Sequence, residues 1–470
     1  MAQEIPTALP VSLTSDRETA LQRGLFWAFL ALLLWAPLPL GSNRAWAWGL
    51  LECWTFLLLA AWLVSRWQAQ QPLEPILGPC RPVLLWMLLA TLYPLWQIVP
   101  WPPSLLAHLS PTTLTLRQMA EADLLSGPIS LDAHVTQVEW LKGMAYLGIF
   151  WLTLVLTPTR QRLRQLLWTL LGSGMLQVGI NLLTASFGHD VRGSFVNRNH
   201  LAGFLELIIP VAIALLRSEH VPTGAVHSWK DRFYNGLQFI SSANGLLVAA
   251  TIALVSTLFL TQSRGGNGAL LLALLLVAAL ARPTRGTSAR LSRARLAVVL
   301  LMVSSLMGSC VGLGQLVGRY LDTDIQQEGR LAVLATAGQI AQEYPLFGSG
   351  SGTFLFVYPR YQHPAISHVL FDHAHNDHLE ILTERGAVGY GLLAVAVLSS
   401  WWLMVRAYGQ RRDPLAVALL YASLVATLSL TIHGLADFNF QIPVNALYFM
   451  VLLGLGLRGV TVIPARKRAS

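Results

Sequence analysis

The sequence predicts an all-α protein that crosses a membrane many times. Three observations carry that expectation. Of the 470 residues, 54% are hydrophobic and only 12% are charged, too few charges to cover a soluble surface of this size. Apolar runs of bilayer-crossing length, about 20 residues each, recur along the whole chain. Basic residues are also unevenly shared between alternate connections, the pattern that orients multi-pass proteins.

Taken in order, the apolar runs fall near 24–40, 46–64, 83–100, 139–157, 166–184, 201–216, 242–260, 267–281, 296–316, 387–405, 414–433 and 443–460, about twelve spans. The polar leader "MAQEIPTALPVSLTSDRETALQR" is long for a signal-peptide n-region, so the first run reads as a retained anchor; cleavage after "NRAWA" is the alternative. Cys53, Cys80 and Cys310 lie far apart in or beside apolar runs and read as packing residues. There is no internal repeat or low-complexity linker, so residues 1–470 read as a single transmembrane domain.

With both termini cytoplasmic, ten cations fall outside: Arg44, Arg117, Lys142, Arg192, Arg198, Arg264, Arg319, Arg330, Arg360 and Arg385. The remaining 22 of 32 fall inside, as the positive-inside rule asks. The run "ARPTRGTSARLSRAR" is then a cytoplasmic loop, not a nucleic-acid patch, and the net charge of +9 has the same source. Histidine goes the other way: of twelve, only His220 and His227 fall inside. Two outer connections are long, 101–138 and the large loop 317–386 between spans 9 and 10, and long loops in compact proteins usually carry function. Within the second, "DTDIQQEGRLAVLATAGQIAQEYP" predicts a helix with a cap at Asp324 and a stop at Pro345.

Candidate chemistry gathers in that outer set. "HAHNDH" (373–378) shares a pattern with zinc-dependent hydrolases of the metallo-β-lactamase type. Here it runs straight into a span, and the only later candidate ligands, His433 and Asp437, stand two spans away, so no metal site is expected. "FGSGSGTF" (347–354) lacks the Lys-Ser/Thr of a phosphate loop and reads as a flexible turn. "DTD" (322–324) reads as a helix cap. Glu52 and Glu206 are costly inside a span and are expected to face the bundle interior. Arg264 in "TQSRGGNG", Arg198 in "GSFVNRNHLAG" and Arg330 at the start of an apolar helical stretch lie at the outer lip. A guanidinium fork suits phosphate, so these either grip a lipid pyrophosphate or anchor phospholipid headgroups.

Five stretches in one order resemble the O-antigen ligase and polymerase superfamily of bacterial membrane glycosyltransferases. They are "GSFVNRNHLAGFLELIIP", "TQSRGG", "GRLAVLATAGQIAQEYPLFGSGSGTF", "HAHNDHLEILTERGAVG" and "HGLADFNFQIPVNALYF". The resemblance implies a helical GT-C type fold in the inner membrane, with a glycan donor on undecaprenyl pyrophosphate. It implies transfer with inversion to an acceptor hydroxyl of a lipid or glycan, such as lipid A-core. Membrane lipids are the only other partners it implies, and it involves no metal, cofactor or nucleic acid. His375, followed by Asn376, matches the family's loop histidine; Arg264 and Arg330 match its arginines; Gly193, Phe195, Asn197 and Asn199 match its "GxFxNxN" segment.

The chemistry accords with these types. A lipid pyrophosphate leaving group needs fixed cations more than a proton, which points to Arg264 and Arg330 with Arg198 third. A weakly nucleophilic hydroxyl needs a base that titrates near neutral pH, which points to His375. His378, three positions on, is placed on the same helical face, Asp377 or Asp372 is placed to orient the ring, and capping the following helix is the alternative role for His375. Ligase, polymerase and protein O-oligosaccharyltransferase all remain open. A transporter, the non-enzymatic alternative, is expected to show two related halves with matched broken helices, and no such repeat is present.

Overall fold

The computed structural model describes residues 19–69, 78, 80–120, 125–186, 190–218, 242–280, 324–362 and 371–461, with the side chains of 69, 185 and 324–330 outside that description. Among the described residues it is a helical bundle. The helices are α1 (Ala20–Trp35), α2 (Ala45–Ala69), α3 (Arg81–Gln97), α4 (Pro103–Leu109), α5 (Pro111–Met119), α6 (Ala133–Leu156), α7 (Arg160–Ala185) and α8 (Arg198–Ser218). They continue with α9 (Ala243–Leu260), α10 (Arg264–Leu280), α11 (Asp324–Glu343), α12 (Phe354–Tyr361), α13 (Asp377–Tyr408), α14 (Pro414–His433) and α15 (Pro443–Thr461). Eight of these are long and apolar enough to cross a bilayer: α2, α6 to α9 and α13 to α15. The protein is thus an all-α multi-pass membrane protein. Helices lie at every predicted apolar run except that near 296–316, which falls outside the described residues along with Cys310 and the basic run 281–295.

Most spans begin on a residue that suits an N-cap, where a side-chain oxygen accepts one of the orphan N–H groups. Thr19 forms a capping box with Gln22. Asp132, Thr159, Ser242 and Asp413 each accept an N–H three positions on. The helices sort by environment. α8, α14 and α15 are buried along nearly their whole length, while α2, α9 and α13 turn most of their apolar surface outward, as lipid-facing helices do. α14 packs against α8, α10 and α15, so α8 and α14 form the centre of the bundle.

The connections sort cleanly by end. Ser194 donates to Pro37 O at 2.7 Å, Leu131 N to Ser349 O at 2.9 Å, and Asp377 N to Gly434 O at 2.8 Å. The loops predicted to lie outside therefore share one end. At the other end Arg160 meets Asp413 at 2.8 Å, Arg162 donates to Gln22 O at 3.1 Å, Arg458 donates to Pro158 O at 3.2 Å, and Arg411 meets Val460 O.

Two differences from expectation lie in the large loop. Its described part is mostly ordered secondary structure: α11 spans Asp324–Glu343 as anticipated, and α12 follows. Ahead of the next span lies a short additional helix: α13 is two helices joined at Gly386, whose φ of 62° and ψ of −175° break the hydrogen-bond ladder, so Asp377 opens the first part and the span expected from near 387 forms the second. The glycine-rich segment read as a flexible turn repairs that break. Ala387 N and Val388 N donate to Pro345 O and Leu346 O. Ser349 N and Gly350 N donate to Thr383 O and Glu384 O. Gln97 and Tyr93 of α3 add bonds to Glu384 O, Arg385 O and Phe347 O.

Candidate functional site

The "HAHNDH" segment enters α13 at the end where the outer connections meet. Asn376 is the N-cap: its Oδ1 accepts from Leu379 N at 3.0 Å and its Nδ2 donates to Leu435 O at 3.0 Å. Asp377 is fully buried and accepts from Phe440 N at 3.1 and 3.2 Å. Its own N–H reaches Gly434 O and Asp437 O. These two of the expected supporting residues therefore bind the α13 start to the α14–α15 connection, and Asp377 does so through backbone, not through the His375 ring.

His375 sits just before the cap with φ of 53°, left-handed backbone that a residue with a Cβ adopts at a cost. Its ring lies edge-on to Phe438 at 4.9 Å and to Phe371 at 6.3 Å. Its Nδ1 is buried without a hydrogen bond and lies 3.7 Å from Asp437 Oδ1, an ionic contact too long to be a hydrogen bond. The side chain is 19% exposed, enough to meet an incoming group. Burial pushes the Asp437 carboxyl up, but the His375 ring, the His200 and His433 imidazoles and the Phe438 N–H together hold it well below the usual carboxylate range. Asp437 is therefore a fixed negative charge facing His375.

Phe438 is the hub of the cluster. His200 of α8 meets it edge-on at 4.7 Å and His373 stacks on it at 4.5 Å. The His373 Nδ1 contacts Glu380 Oε1 at 2.7 Å, while Glu380 Oε2 accepts from Ala374 N at 2.7 Å. Burial opposes charge on His373, yet the Glu380 carboxylate outweighs it and pushes the ring up to about 9. His378, expected beside His375, is placed otherwise. Because His375 lies outside the helix in a left-handed turn, three-residue spacing does not put the two rings on one face. Both His378 nitrogens are engaged, Nδ1 with the Tyr390 hydroxyl at 3.0 Å and Nε2 with Thr431 O at 2.8 Å.

The expected cations lie on three helices. Arg264 is the exposed first residue of α10, and the two glycines after it pack on His433 and Glu206. Arg198 is the exposed first residue of α8, two positions before His200, and Asn197 Oδ1 accepts from Asn199 N at 2.9 Å in the turn that starts it. Arg330 lies on α11; its side chain is outside the described residues. Further along α11, Val333, Ala337 and Ile340 pack in a small core with Phe354, Tyr358 and Ala374, the residue between His373 and His375. Among the described residues, no group of three His, Cys, Asp or Glu side chains is disposed to hold a metal ion.

Five residues of the cluster were not expected in it: His200, Asp437, Phe438, Glu380 and His433. Asp437 and His433 stand in the "HGLADFNF" stretch, where sequence alone suggests only distant metal ligands. The signal was present, but a separation of 62 residues between His375 and Asp437 hid the contact.

Residues 249–394 match the family model described as O-Antigen ligase. The matched stretch runs from α9 to the middle of α13 and includes Arg264, Arg330 and the 373–378 segment. No curated protein matches the chain. The family match supports the O-antigen ligase and polymerase superfamily, and it accords with the helical multi-pass fold.

Proposed function

We propose that this membrane protein is an O-antigen ligase-like glycosyltransferase. In this reading it transfers a glycan from undecaprenyl pyrophosphate to an acceptor hydroxyl at the outer face of the bacterial inner membrane, with both termini cytoplasmic. The observation that carries the reading is the pairing of a partly exposed His375 with the buried, ionised Asp437 at the end where α8 and α10 begin with Arg198 and Arg264.

Of the three histidines in "HAHNDH", His375 is the base. His373 is held protonated at neutral pH by Glu380 and has no lone pair to offer. His378 is tied at both nitrogens and acts as a scaffold. His375 takes the proton of the acceptor hydroxyl as that oxygen forms its bond to the anomeric carbon. The bond from that carbon to the pyrophosphate oxygen breaks on the opposite face, so configuration inverts. Asp437 stabilises the imidazolium that forms, and a small ring rotation shortens the 3.7 Å contact as it does so. Arg264, Arg330 and Arg198 stabilise the departing pyrophosphate with charge-assisted hydrogen bonds. The chain supplies these groups itself, so the transfer runs without metal, nucleotide or other cofactor.

The test is transfer by purified protein from a defined polyprenyl pyrophosphate glycan, with chelator present and acceptors varied. His375→Ala and Arg264→Ala are expected to insert normally and transfer nothing; full transfer by either variant removes that residue's role. Ligase and polymerase separate in a deletion strain. Loss of a ligase leaves long carrier-linked chains, whereas loss of a polymerase leaves single repeat units.

A further inference from the structure

One acid and one imidazole are buried against each other at the centre of the bundle, and neither takes a direct part in the proposed transfer step. Glu206 of α8 is 0% exposed and His433, the last residue of α14, is 1% exposed. Their Oε1 and Nδ1 atoms lie 2.7 Å apart, although the ring N–H is not aligned on the carboxylate. The Ser429 hydroxyl donates to Glu206 Oε2 at 2.5 Å. An ionisable group at membrane depth costs several kcal/mol of desolvation and is kept where it does something.

What the pair touches is the first turn of α10. A Cβ on Gly265 would lie 2.7 Å from His433 Cδ2 and 2.8 Å from its Nε2. A Cβ on Gly266 would lie 2.7 Å from Glu206 Oε1 and 2.9 Å from the Ala202 Cβ. The two positions after Arg264 are glycine because an imidazole and a carboxylate fill the space side chains would need. The turn is held from behind as well: Gln262 is left-handed at φ 55°, and buried Ser263 accepts from Gly266 N at 3.3 Å. The Glu206 carboxylate also stands at the N-terminus of α10, where a negative charge complements the helix dipole.

We propose that Glu206 and His433 are positioning residues that fix the first turn of α10 and thereby hold Arg264 against the donor's pyrophosphate. The proposal rests on the donor reading above. The two groups do not touch the lipid; they act through the backbone that carries Arg264.

A double-mutant cycle on lipid binding tests it. The probe is undecaprenyl pyrophosphate, with undecaprenol as the uncharged control, bound to the full-length protein in detergent. Glu206→Gln, which is isosteric, and His433→Gln are each expected to weaken pyrophosphate binding about tenfold and to leave undecaprenol binding unchanged, a coupling within reach of groups linked through a shared backbone turn. In an Arg264→Ala background the same substitutions are expected to cost nothing further. A purely structural pair would give losses that add to that of Arg264→Ala, and that result overturns the proposal, as does unchanged pyrophosphate binding in both variants. Gly265→Ala approaches from the other side and is expected to repeat the Glu206→Gln pattern. If the unaltered protein binds undecaprenyl pyrophosphate no better than undecaprenol, the donor reading falls and takes this inference with it. A loss confined to the variants cannot arise that way.

Discussion

His375 combines three properties at one position: left-handed backbone, an unpaired buried nitrogen and an ionised carboxylate 3.7 Å away. Asp437→Asn keeps the shape and removes the charge that supports the imidazolium. It is expected to lower the transfer rate about a hundredfold, the scale of general-base contributions, with donor affinity unchanged in the same assay. Phe438→Leu is expected to lower the rate less, since it frees three rings without removing a charge. His373 gives a separate test on stability. Its folded-state value of about 9 lies above the ordinary 6.5, so the pair with Glu380 contributes fully below that ordinary value. The contribution is lost as pH rises through about 9. Thermal unfolding in detergent is expected to show the midpoint of the unaltered protein falling across that window, and the fall is expected to be smaller in His373→Gln.

At the level of elements, the caps and the broken helix matter most. Asn376→Ala removes the side chain that starts α13 and is expected to destabilise by about 1 kcal/mol. Gly386→Ala is expected to be far worse. A Cβ there would meet the Leu346 carbonyl carbon at 2.3 Å, on top of a φ of 62°. Limited proteolysis in detergent checks both, with earlier cleavage expected between α11 and α13. The helices themselves were readable because apolar runs are a local signal, and the helix expected to start at Asp324 does start there. The join at Gly386 was not readable. "ERGAVGYG" looks like the opening of a span, and nothing local says that Leu346 and Ser349 supply its missing hydrogen-bond partners.

Across the whole molecule, hydropathy and charge were sufficient to say which connections share an end, and the contacts at both ends agree with that grouping. The site was legible in part. Arg264 and Arg198 could be singled out as candidates because polar residues beside apolar runs stand out, and His375 because the family resemblance picks it out of three neighbouring histidines. Asp437, Phe438 and the Glu206–His433 pair could not be placed, because each reaches the site from another helix and chain distance says nothing about that. Cysteines introduced singly at Leu435 and at Gln410 are expected to react with a membrane-impermeant thiol reagent from opposite sides, Leu435 from outside; reaction from the same side would refute the topology. The interrupted helix has one more implication, for engineering. Residues 345–350 supply donors and acceptors that the residues around Gly386 lack, so the large loop is not an interchangeable module. A chimera grafting a relative's loop onto these spans must import the interruption together with the segment that mends it, or leave amides and carbonyls stranded where neither water nor protein can reach them.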